Sequence, residues 1–258
     1  MYSQPTDLKA LIWDVDGTLA ETERDGHRVG FNAAFEALGV PWRWSEARYG
    51  ELLRVMGGAE RLLHDMATQP DAPASAQARE ELALRLHKVK NERYVQIVAA
   101  GGIALRGGVR ELLDECTAAG LPMAIATTTS RGNVEALLGT HLGAHWEQRF
   151  ACVVCAEDAP SKKPDPLAYT IALERLGLRA HQALAIEDSP AGVQACASAG
   201  MPVIVTRSVY FADPPVPGAL AVGPGLHSAE GWQPAVAGRE TERIDLAQLR
   251  RWLPARPG

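Results

Sequence analysis

Apolar residues along the chain are concentrated in short continuous runs, and segments with helical spacing lie between them. The apolar runs are at 8–13, 121–127, 150–156, 183–188 and 202–206. Continuous apolar runs of this length are typical of strands buried on both faces of a parallel sheet. Amphipathic helical spacing is found at 109–120, 133–143, 166–177 and 191–200. This alternation predicts an α/β fold built on a doubly wound parallel sheet.

Residues 21–103 interrupt the alternation of strands and helices. They contain no convincing strand, and turn residues separate segments with helical spacing at 24–38, 45–54, 59–68 and 76–99. We therefore predict two domains, a core formed by residues 1–20 and 104–258 and a helical domain, residues 21–103, inserted after the first strand. Trp42, Trp44 and Tyr49 are expected to belong to the core of the inserted domain.

The C-terminal part of the chain is richer in turn residues. Residues 213–238 contain many prolines and glycines and predict a long surface loop. A final amphipathic segment at 244–253 predicts a short helix that packs back on the core.

Composition narrows the class of protein. The chain has 258 residues, 47% of them hydrophobic and 22% charged, with a net charge of −5. These values are ordinary for a globular enzyme, and the acidic balance disfavours a nucleic-acid partner. No segment approaches the ~18 consecutive apolar residues of a membrane span, and the N-terminus MYSQPTDLKA lacks the pattern of a signal peptide. We therefore expect a cytoplasmic protein without a membrane partner, and we expect it to be a monomer.

Four cysteines raise the question of a disulfide or a metal site. They are Cys116, Cys152, Cys155 and Cys196. In a cytoplasmic protein we expect reduced, mostly buried thiols. Cys152 and Cys155 form a CxxC, with His141 and His145 shortly before it, so a zinc site is conceivable. The CxxC lies in a predicted strand, however, where alternate residues face opposite sides, and buried structural cysteine is therefore favoured.

Residues with functional chemistry follow four of the predicted strands. They are Asp14 and Asp16 after the first strand, Thr127, Thr128, Thr129 and Ser130 after the second, Lys163 after the third, and Glu187 and Asp188 at the end of the fourth. A turn, a helix cap or a surface lysine explains each group taken alone. In a parallel sheet all four groups converge at the edge where α/β folds bind ligands, so their joint occurrence predicts an active site.

This set of residues suits phosphoryl transfer. Mg²⁺ prefers a few carboxylates together with phosphate oxygens and water, and Asp14, Asp16 and Asp188 are the predicted ligands, with Glu187 assisting. Lysine and hydroxyl donors would orient the phosphate oxygens. An aspartate can attack phosphorus and form an aspartyl-phosphate, while a second carboxyl transfers the proton. Asp16 is our candidate for that second group.

The four motifs resemble those of the haloacid dehalogenase superfamily of phosphatases. The matching segments are DVDGT at 14–18, Thr127 after AIA, Lys163 in KKPDP, and EDS at 187–189. They cover the core from the first strand to the fourth, and the helical insert resembles the type-one cap of that superfamily. The resemblance implies a Rossmannoid core with an inserted cap domain.

The resemblance also implies a role for each motif residue. Asp14 would be the nucleophile, and Asp16 would be the general acid and base. Thr127, Thr128 and Lys163 would hold the transferred phosphoryl group. The implied Mg²⁺ ligands are Asp14, the main-chain carbonyl of Asp16, Asp188 and, in or near the coordination shell, Glu187.

A narrower resemblance, to the CbbY-type phosphatases, spans cap and core. It rests on ETERDGHRVGFNAAFEALGV, WRWSEARYGELLRVMGGAERL, AIATTTSRGNVEALL and LAIEDSPAG. Members of that group hydrolyse xylulose-1,5-bisphosphate, an inhibitor of Rubisco. Two positions depart from the group, since Ala59 stands where relatives often carry lysine, and His27 lies one residue further from the first motif than the usual histidine. Both positions face the substrate in the family, so they bear on the substrate and leave the chemistry unchanged.

The cap and the segment after the second strand are expected to select the substrate. A bisphosphate needs a second anion site, and arginine suits bidentate phosphate contacts. Arg61, Lys90 and Arg131 match positions that face the substrate in relatives and are the candidates for that site. The other candidates for substrate contact are Glu23, His27, Thr129 and Ser130. A solvated first helical turn explains His27 equally well.

Other activities fit parts of the same pattern. β-Phosphoglucomutase uses the same motifs and returns the phosphoryl group to the sugar, and phosphoglycolate phosphatase acts on a smaller substrate. A dehalogenase needs no Mg²⁺, and the acid Asp16 and the pair Glu187 and Asp188 argue against it. A non-catalytic binding protein would have no need of the complete motif set. We therefore predict a Mg²⁺-dependent phosphatase for a small sugar phosphate, most specifically xylulose-1,5-bisphosphate.

Overall fold

The structure, a computed structural model, describes residues 8–236 and 242–253. Most of the N-terminal segment on which the signal-peptide expectation rests lies outside the described residues. Internal contacts divide the chain into two compact units. The first unit contains the chain up to Glu21, Leu105–Thr128 and the chain from Ala144 onward, and the second contains Thr22–Ala104 and Thr129–Gly143.

The helices agree with the segments predicted from their spacing. In chain order they are α1 (Arg28–Ala37), α2 (Glu46–Leu52), α3 (Gly58–Met66), α4 (Ala76–Ala99), α5 (Val109–Ala118), α6 (Arg131–Leu142), α7 (Leu167–Leu176), α8 (Pro190–Ser198) and α9 (Leu246–Trp252). A π-helical turn, Glu23–His27, precedes α1, and short 3-10 turns lie at Trp146–Arg149 and Ala180–Gln182. Side-chain oxygens accept the first free N–H groups of four helices, which accounts for where those helices begin. The capping residues are Ser45, Ser75, Ser189 and Asp245.

A parallel sheet forms the centre of the first unit. Its strands are β1 (Ala10–Trp13), β2 (Met123–Ala126), β3 (Cys152–Val154), β4 (Ala183–Glu187), β5 (Val203–Thr206) and β6 (Ala221–Gly223), in the spatial order β3-β2-β1-β4-β5-β6. The five predicted strands and the doubly wound parallel sheet are confirmed. The order reverses direction at β1, which pairs with both β2 and β4. Ligands of such sheets bind beyond the carboxyl ends of the strands at this reversal.

The register of the central strands brings their carboxyl ends level. Trp13, the last residue of β1, lies opposite Ile125 on β2 and opposite Ile186 on β4. Asp14 therefore leaves the sheet beside the end of β2 and beside Glu187. The residues of β1 are fully buried, as a strand covered on both faces requires.

The prediction of a surface loop at 213–238 is wrong in part. This region contains β6, which pairs in parallel with β5, and Val222 forms a further backbone bridge with Gln233. Several of its apolar side chains are buried, among them Leu226 and Trp232. A strand of three residues is too short to show a period, so the turn residues around it dominated the sequence pattern.

The second unit is helical and has an aromatic core. Helix α4 packs against α1, α3 and α6. Phe31, Phe35, Trp44 and Tyr49 are fully or almost fully buried, and the rings of Phe31 and Trp44 lie 4.7 Å apart between centroids. The expected burial of Trp42, Trp44 and Tyr49 is confirmed. Because α6 packs on α4, this unit includes residues 129–143, which the predicted domain ranges assign to the core.

The nine helices α1 to α9 do not meet the requirements of a membrane span. In the described part of the chain, none of them combines the length and the apolar character that crossing a bilayer demands. The longest, α4, carries charged residues along its whole length.

Candidate active site

Asp14 occupies the first position after β1 and is almost completely buried. Its N–H donates to the carbonyl of Ile186, so β4 pairing continues to this residue. The chain then turns sharply, and Gly17 adopts φ +82°. That left-handed conformation suits glycine, and a Cβ at this position would also overlap the carboxylate of Asp188. Gly17 therefore allows the loop after β1 and the end of β4 to approach closely.

Lys163 joins the ends of three strands. Its Nζ donates to Asp14 Oδ1 at 2.6 Å, to Glu187 Oε1 at 2.7 Å and to the carbonyl of Ala126 at 3.0 Å. The ammonium also lies 4.8 Å from the centre of the Tyr169 ring. The side chain is 2% exposed. Lys163 thus places a positive charge against Asp14 at the point where β1, β2 and β4 end.

Both carboxylate oxygens of Glu187 accept hydrogen bonds from the protein. Oε1 accepts from Lys163 and from the hydroxyl of Tyr169 at 2.5 Å. Oε2 accepts from the N–H of Asp188 at 3.1 Å and from the N–H and hydroxyl of Ser189. A Cβ at Gly192 would overlap the Glu187 carboxylate, so this glycine leaves the space that the side chain fills. Glu187 therefore orients Lys163 on one side and the start of α8 on the other.

Asp188 completes a cluster of three buried carboxylates. One oxygen each from Asp14, Glu187 and Asp188 lies within 4.8 Å of the others. Asp188 Oδ2 accepts a hydrogen bond from the hydroxyl of Ser208 at 2.6 Å. Three carboxylates and a single lysine leave an excess of negative charge in a buried place, which is costly unless a cation balances it.

The pKa values in the cluster reflect burial first and this excess of negative charge second. Burial, with a further contribution from Glu187, raises the pKa of Asp14 to about 7 although Lys163 opposes the shift. Burial and the charges of Asp14 and Glu187 raise the pKa of Asp188 well above its usual range. Burial lowers the pKa of Lys163, but the two carboxylates outweigh it and the net pKa is raised. A divalent cation among the carboxylates would remove the repulsion, and an all-oxygen donor set suits Mg²⁺.

The remaining predicted residues of the first unit lie on the adjoining strand ends. Asp16 is half-buried, and its backbone bridges to Ala20 within the loop after β1. Its carboxylate does not belong to the three-carboxylate cluster. Thr127 is buried and extends β2 through its N–H, which donates to the carbonyl of Val154 at 3.0 Å, and Thr128 is half-buried. The four motifs thus share the carboxyl edge of one sheet.

Two predicted residues of the second unit, Glu23 and Arg61, share a hydrogen-bonded group. The hydroxyl of Tyr49 donates to Glu23 Oε2 at 2.5 Å and accepts from Arg61 at 2.7 Å. Arg61 also donates to the carbonyl of Leu52, and its guanidinium lies 3.8 Å from Glu23 Oε2. Arg61 is 5% exposed. Its orientation is therefore determined by the protein and does not depend on a ligand.

His27 and Lys90 lie against the same aromatic ring. The imidazole of His27 stacks on Tyr94 with 4.4 Å between centroids, and Lys90 Nζ lies 5.6 Å from that ring and 5.2 Å from the ring of Phe31. Both His27 and Lys90 are buried. Lys90 Nζ donates to Asn91 Oδ1 at 3.1 Å. A solvated first helical turn, the alternative explanation for His27, is wrong.

Thr129 is connected to the Lys90 region through two asparagines. Asn133 Nδ2 donates to Thr129 Oγ1 at 3.1 Å and lies 3.3 Å from Asn91 Oδ1. Ser130 precedes α6 and Arg131 begins it, and both are half-buried. In the second unit the structure therefore groups Glu23 with Arg61, and His27 with Lys90 and Thr129.

Several residues with structural roles in the site escaped the sequence interpretation. Ser208 lies two residues beyond β5, so the strand-end argument would have found it had it been applied to the fifth strand. Tyr169 lies within an amphipathic helix, where nothing marks its hydroxyl as polar and buried. Arg106 lies in a connecting segment and donates to the carbonyls of Gly17, Thr206, Arg207 and Pro224, and no local pattern indicates these contacts.

The cysteines do not take part in a metal cluster among the described residues. Cys116, Cys155 and Cys196 are buried and Cys152 is half-buried, and none of the four forms a disulfide. The Sγ of Cys152 lies 3.8 Å from the carbonyl of Ala172. Within residues 8–236 and 242–253, the side-chain group capable of holding a metal is the one formed by Asp14, Glu187 and Asp188.

The sequence of this chain is similar to those of known hydrolases. A family model of haloacid dehalogenase-like hydrolases matches residues 8–200. The plasmid-encoded CbbY protein of Cupriavidus necator is 44% identical over 247 residues, covering 95% of this chain and 96% of the relative. CbbY of Rhodobacter capsulatus is 44% identical over 204 residues, covering 79% of this chain and 87% of the relative.

A solved structure extends the similarity to three dimensions. It is that of a mutant CbbY from Rhodobacter sphaeroides in complex with xylulose-1,5-bisphosphate, with a TM-score of 0.82 and 36% sequence identity. The match covers 94% of this chain and 99% of the solved chain. From the family match, the sheet and the four motifs, we conclude that the chain belongs to the haloacid dehalogenase-like hydrolases and, among them, to the phosphatases that resemble CbbY.

Proposed function

We propose that the protein hydrolyses xylulose-1,5-bisphosphate, or a closely similar sugar bisphosphate, through an aspartyl-phosphate on Asp14 and with Mg²⁺ as its cofactor. The cluster of Asp14, Lys163 and the Glu187-Asp188 pair is the observation that carries this proposal. The similarity to a CbbY structure that holds xylulose-1,5-bisphosphate supports the choice of substrate. We further propose a cytoplasmic, monomeric enzyme.

The cation site is proposed at the carboxylate cluster. Asp14, Asp188 and the main-chain carbonyl of Asp16 would hold Mg²⁺, which when bound would neutralise phosphate charge and the charge of the buried carboxylates. Glu187 lies within the cluster, but its oxygens already accept from five protein donors. We therefore assign Glu187 chiefly to the orientation of Lys163 and Asp188.

The chemistry would proceed in two displacements at phosphorus. In the first, a carboxylate oxygen of Asp14 forms a bond to phosphorus, the bond from phosphorus to the sugar oxygen breaks, and Asp16 gives a proton to that oxygen. In the second, Asp16 takes a proton from water, the water oxygen bonds to phosphorus, and the aspartyl-phosphate bond breaks. Phosphate leaves and both aspartates regain their starting states.

Lys163 and Thr127 would hold the phosphoryl oxygens during both steps. The ammonium of Lys163 already lies against Asp14, and its three donated hydrogen bonds keep it in one orientation. Donors that are oriented in advance stabilise the charge that develops on a transferring phosphoryl group. Thr127 extends β2 at the same edge, and Thr128 follows it.

The second unit would supply specificity. A bisphosphate carries a second anion, and Arg61, Lys90 and Arg131 are the cations that we assign to it. Arg61 is buried and held by Tyr49, and Lys90 is buried against two aromatic rings, so both are ordered before any ligand binds. The remaining candidates would contact the sugar itself. They are Glu23, His27, Thr129 and Ser130.

Phosphate release from a substrate panel tests this proposal. The panel contains xylulose-1,5-bisphosphate, ribulose-1,5-bisphosphate, β-glucose-1-phosphate and phosphoglycolate, each with Mg²⁺ and with EDTA. We expect Mg²⁺-dependent release with the highest kcat/KM on xylulose-1,5-bisphosphate. Equal rates in EDTA would contradict the cofactor, and a preference for phosphoglycolate would contradict the substrate. Conversion of β-glucose-1-phosphate to glucose-6-phosphate without phosphate release would instead identify a mutase.

A further inference from the structure

Arg106 connects three separate backbone segments of the first unit. It lies just before α5, and its side chain is 12% exposed. Nη1 and Nη2 donate to main-chain carbonyls, and Nε lies 3.4 Å from Glu21 Oε1. The accepting carbonyls are those of Gly17, Thr206, Arg207 and Pro224. These residues lie in the loop after β1, at the end of β5 and after β6, so one side chain holds three strand ends together.

Two of these segments surround Asp188. Gly17 lies so close that a Cβ on it would overlap Asp188 Oδ2, and the Cβ of Ser208 approaches the same place. Ser208 donates its hydroxyl to Asp188 Oδ2 at 2.6 Å. Because Arg106 holds the carbonyls of Thr206 and Arg207, it fixes the backbone that immediately precedes Ser208.

The chemistry of the two side chains suits positioning. A serine hydroxyl that donates to one carboxylate oxygen removes the freedom of that carboxylate to rotate, and groups of this kind around metal ligands tune metal affinity. Arginine presents several N–H donors in a rigid planar fork, whereas lysine has a single charged nitrogen. A lysine at position 106 therefore keeps the charge and loses the simultaneous contacts to the carbonyls.

We propose that Ser208 and Arg106 are positioning residues for the cation site, with Ser208 orienting the Asp188 carboxylate and Arg106 fixing the Gly17 loop and the segment that carries Ser208. This inference rests on the proposed function, because it takes Asp188 as a cation ligand. Ser208 donates to Asp188 and Arg106 donates to main-chain carbonyls, so the proposed action of both on the cation is through Asp188.

Direct measurement of cation binding tests the inference. Mn²⁺ binding is followed by the electron paramagnetic resonance of free Mn²⁺, at a temperature well below the thermal midpoint of each variant. We expect Ser208→Ala to weaken Mn²⁺ binding about 10-fold or more, as loss of an outer-shell partner does elsewhere, with a small change in thermal midpoint. We expect Arg106→Lys to weaken it similarly.

Matched controls use neighbouring residues with other contacts. Arg207 donates its Nη1 to the carbonyls of Phe211 and Pro214, which lie on the far side of Ser208 in the chain, so Arg207→Lys should leave Mn²⁺ affinity unchanged. Ser228 Oγ accepts from the N–H of Glu230, and Ser228→Ala should also have no effect. A general loss of stability would instead lower the thermal midpoint of any of these variants without changing cation affinity in the folded state.

A double-mutant cycle separates the two roles. If Arg106 acts through Ser208, the loss of Mn²⁺ affinity in the double variant is smaller than the product of the two single losses. Unchanged Mn²⁺ affinity in folded Ser208→Ala and Arg106→Lys would overturn the inference while leaving the proposed function intact. Failure of the unaltered protein to bind Mn²⁺ would overturn both.

Discussion

Lys163 Nζ lies 2.6 Å from Asp14 Oδ1, although the two residues are 149 positions apart in the chain. The pair is buried, and Glu187 holds the lysine from its other side at 2.7 Å. A buried lysine between two carboxylates is ordered without a ligand, because moving it would leave uncompensated charge. The charge that would meet a phosphoryl group is therefore in place before the substrate arrives.

Replacing Asp14 by asparagine should abolish turnover. An amide cannot form the aspartyl-phosphate, so we expect phosphate release to fall at least about 1,000-fold. The variant should remain folded, because the change removes a charge from a cluster that has an excess of them. Phosphate release and circular dichroism are the measurements.

Asp114 offers a control for this substitution. It forms an exposed ion pair with Arg149, and Asp114→Asn should leave the rate unchanged. A rate near that of the unaltered protein in Asp14→Asn would remove Asp14 from the role of nucleophile.

Glu187→Gln should destabilise the protein more than its small change in shape suggests. One end of the carboxylate accepts from Lys163 and Tyr169, and the other accepts from Asp188 and Ser189. Whichever way an amide is turned, its NH₂ group faces donors, and Lys163 loses a charged partner. We expect the free energy of unfolding to fall by about 3 kcal/mol, measured by urea denaturation.

Glu174→Gln is the control for the glutamate substitution, because Glu174 is exposed on α7. It should change the free energy of unfolding by less than about 0.5 kcal/mol. Equal stability of Glu187→Gln and the unaltered protein would mean that the hydrogen bonds of Glu187 contribute little.

Asp65 should make the stability of the second unit vary with pH in the acid range. Burial raises the pKa of Asp65, but hydrogen bonds from Trp44, Arg48 and Gln69 outweigh burial and the net pKa is lowered. Because the pKa of Asp65 is lower in the folded state than in the unfolded state, its ionisation stabilises the folded state at pH values above the unfolded pKa of about 3.9. This contribution is lost as the pH falls through the pKa of the folded state. Asp65→Asn should therefore be less stable at pH 7 by about 1–3 kcal/mol.

The pH dependence itself is the test of this assignment. The difference in thermal midpoint between Asp65→Asn and the unaltered protein should shrink between pH 5 and pH 3. A difference that stays constant over this range would show that the ionisation of Asp65 does not contribute. Asp71→Asn, at an exposed position, serves as the control and should follow the unaltered protein throughout.

Arg131→Ala should discriminate between a bisphosphate and a monophosphate. If Arg131 contacts the second phosphate, KM for xylulose-1,5-bisphosphate should rise about 10-fold or more, while KM for β-glucose-1-phosphate should change little. Because Arg131 is half-buried at the start of α6, the thermal midpoint should be nearly unchanged. Equal effects on both substrates would show that Arg131 is not the contact to the distal phosphate.

Arg61→Met gives a contrast to this variant. Arg61 is buried and bonded to Tyr49 and Leu52, so its loss should lower stability as well as bisphosphate affinity. If Arg61→Met lowers stability and leaves the affinity for the bisphosphate unchanged, the role of Arg61 is in the fold of the second unit.

Local patterns predicted most of the fold. The apolar runs of β1 to β5 and the spacing of all nine helices identified above were visible because each extends over enough residues to show its period. The strand β6 was not visible in the sequence, because its three residues lie among prolines and glycines and are too few to show a period. The grouping of α6 with the second unit also escaped prediction, because it depends on the packing of α6 against α4.

The sequence by itself determined that Asp14, Thr127, Lys163 and Asp188 meet at one edge of a sheet, because parallel strands place their carboxyl ends together. Only the tertiary structure decided how these groups are held. Ser208, Tyr169 and Arg106 reach the site from distant segments, and the hydrogen bonds they make to Asp188, Glu187 and the backbone carbonyls have no period and no local signature. Local spacing determines which face of a strand or helix a residue occupies, whereas the partner of a buried polar group depends on which distant segment packs against it.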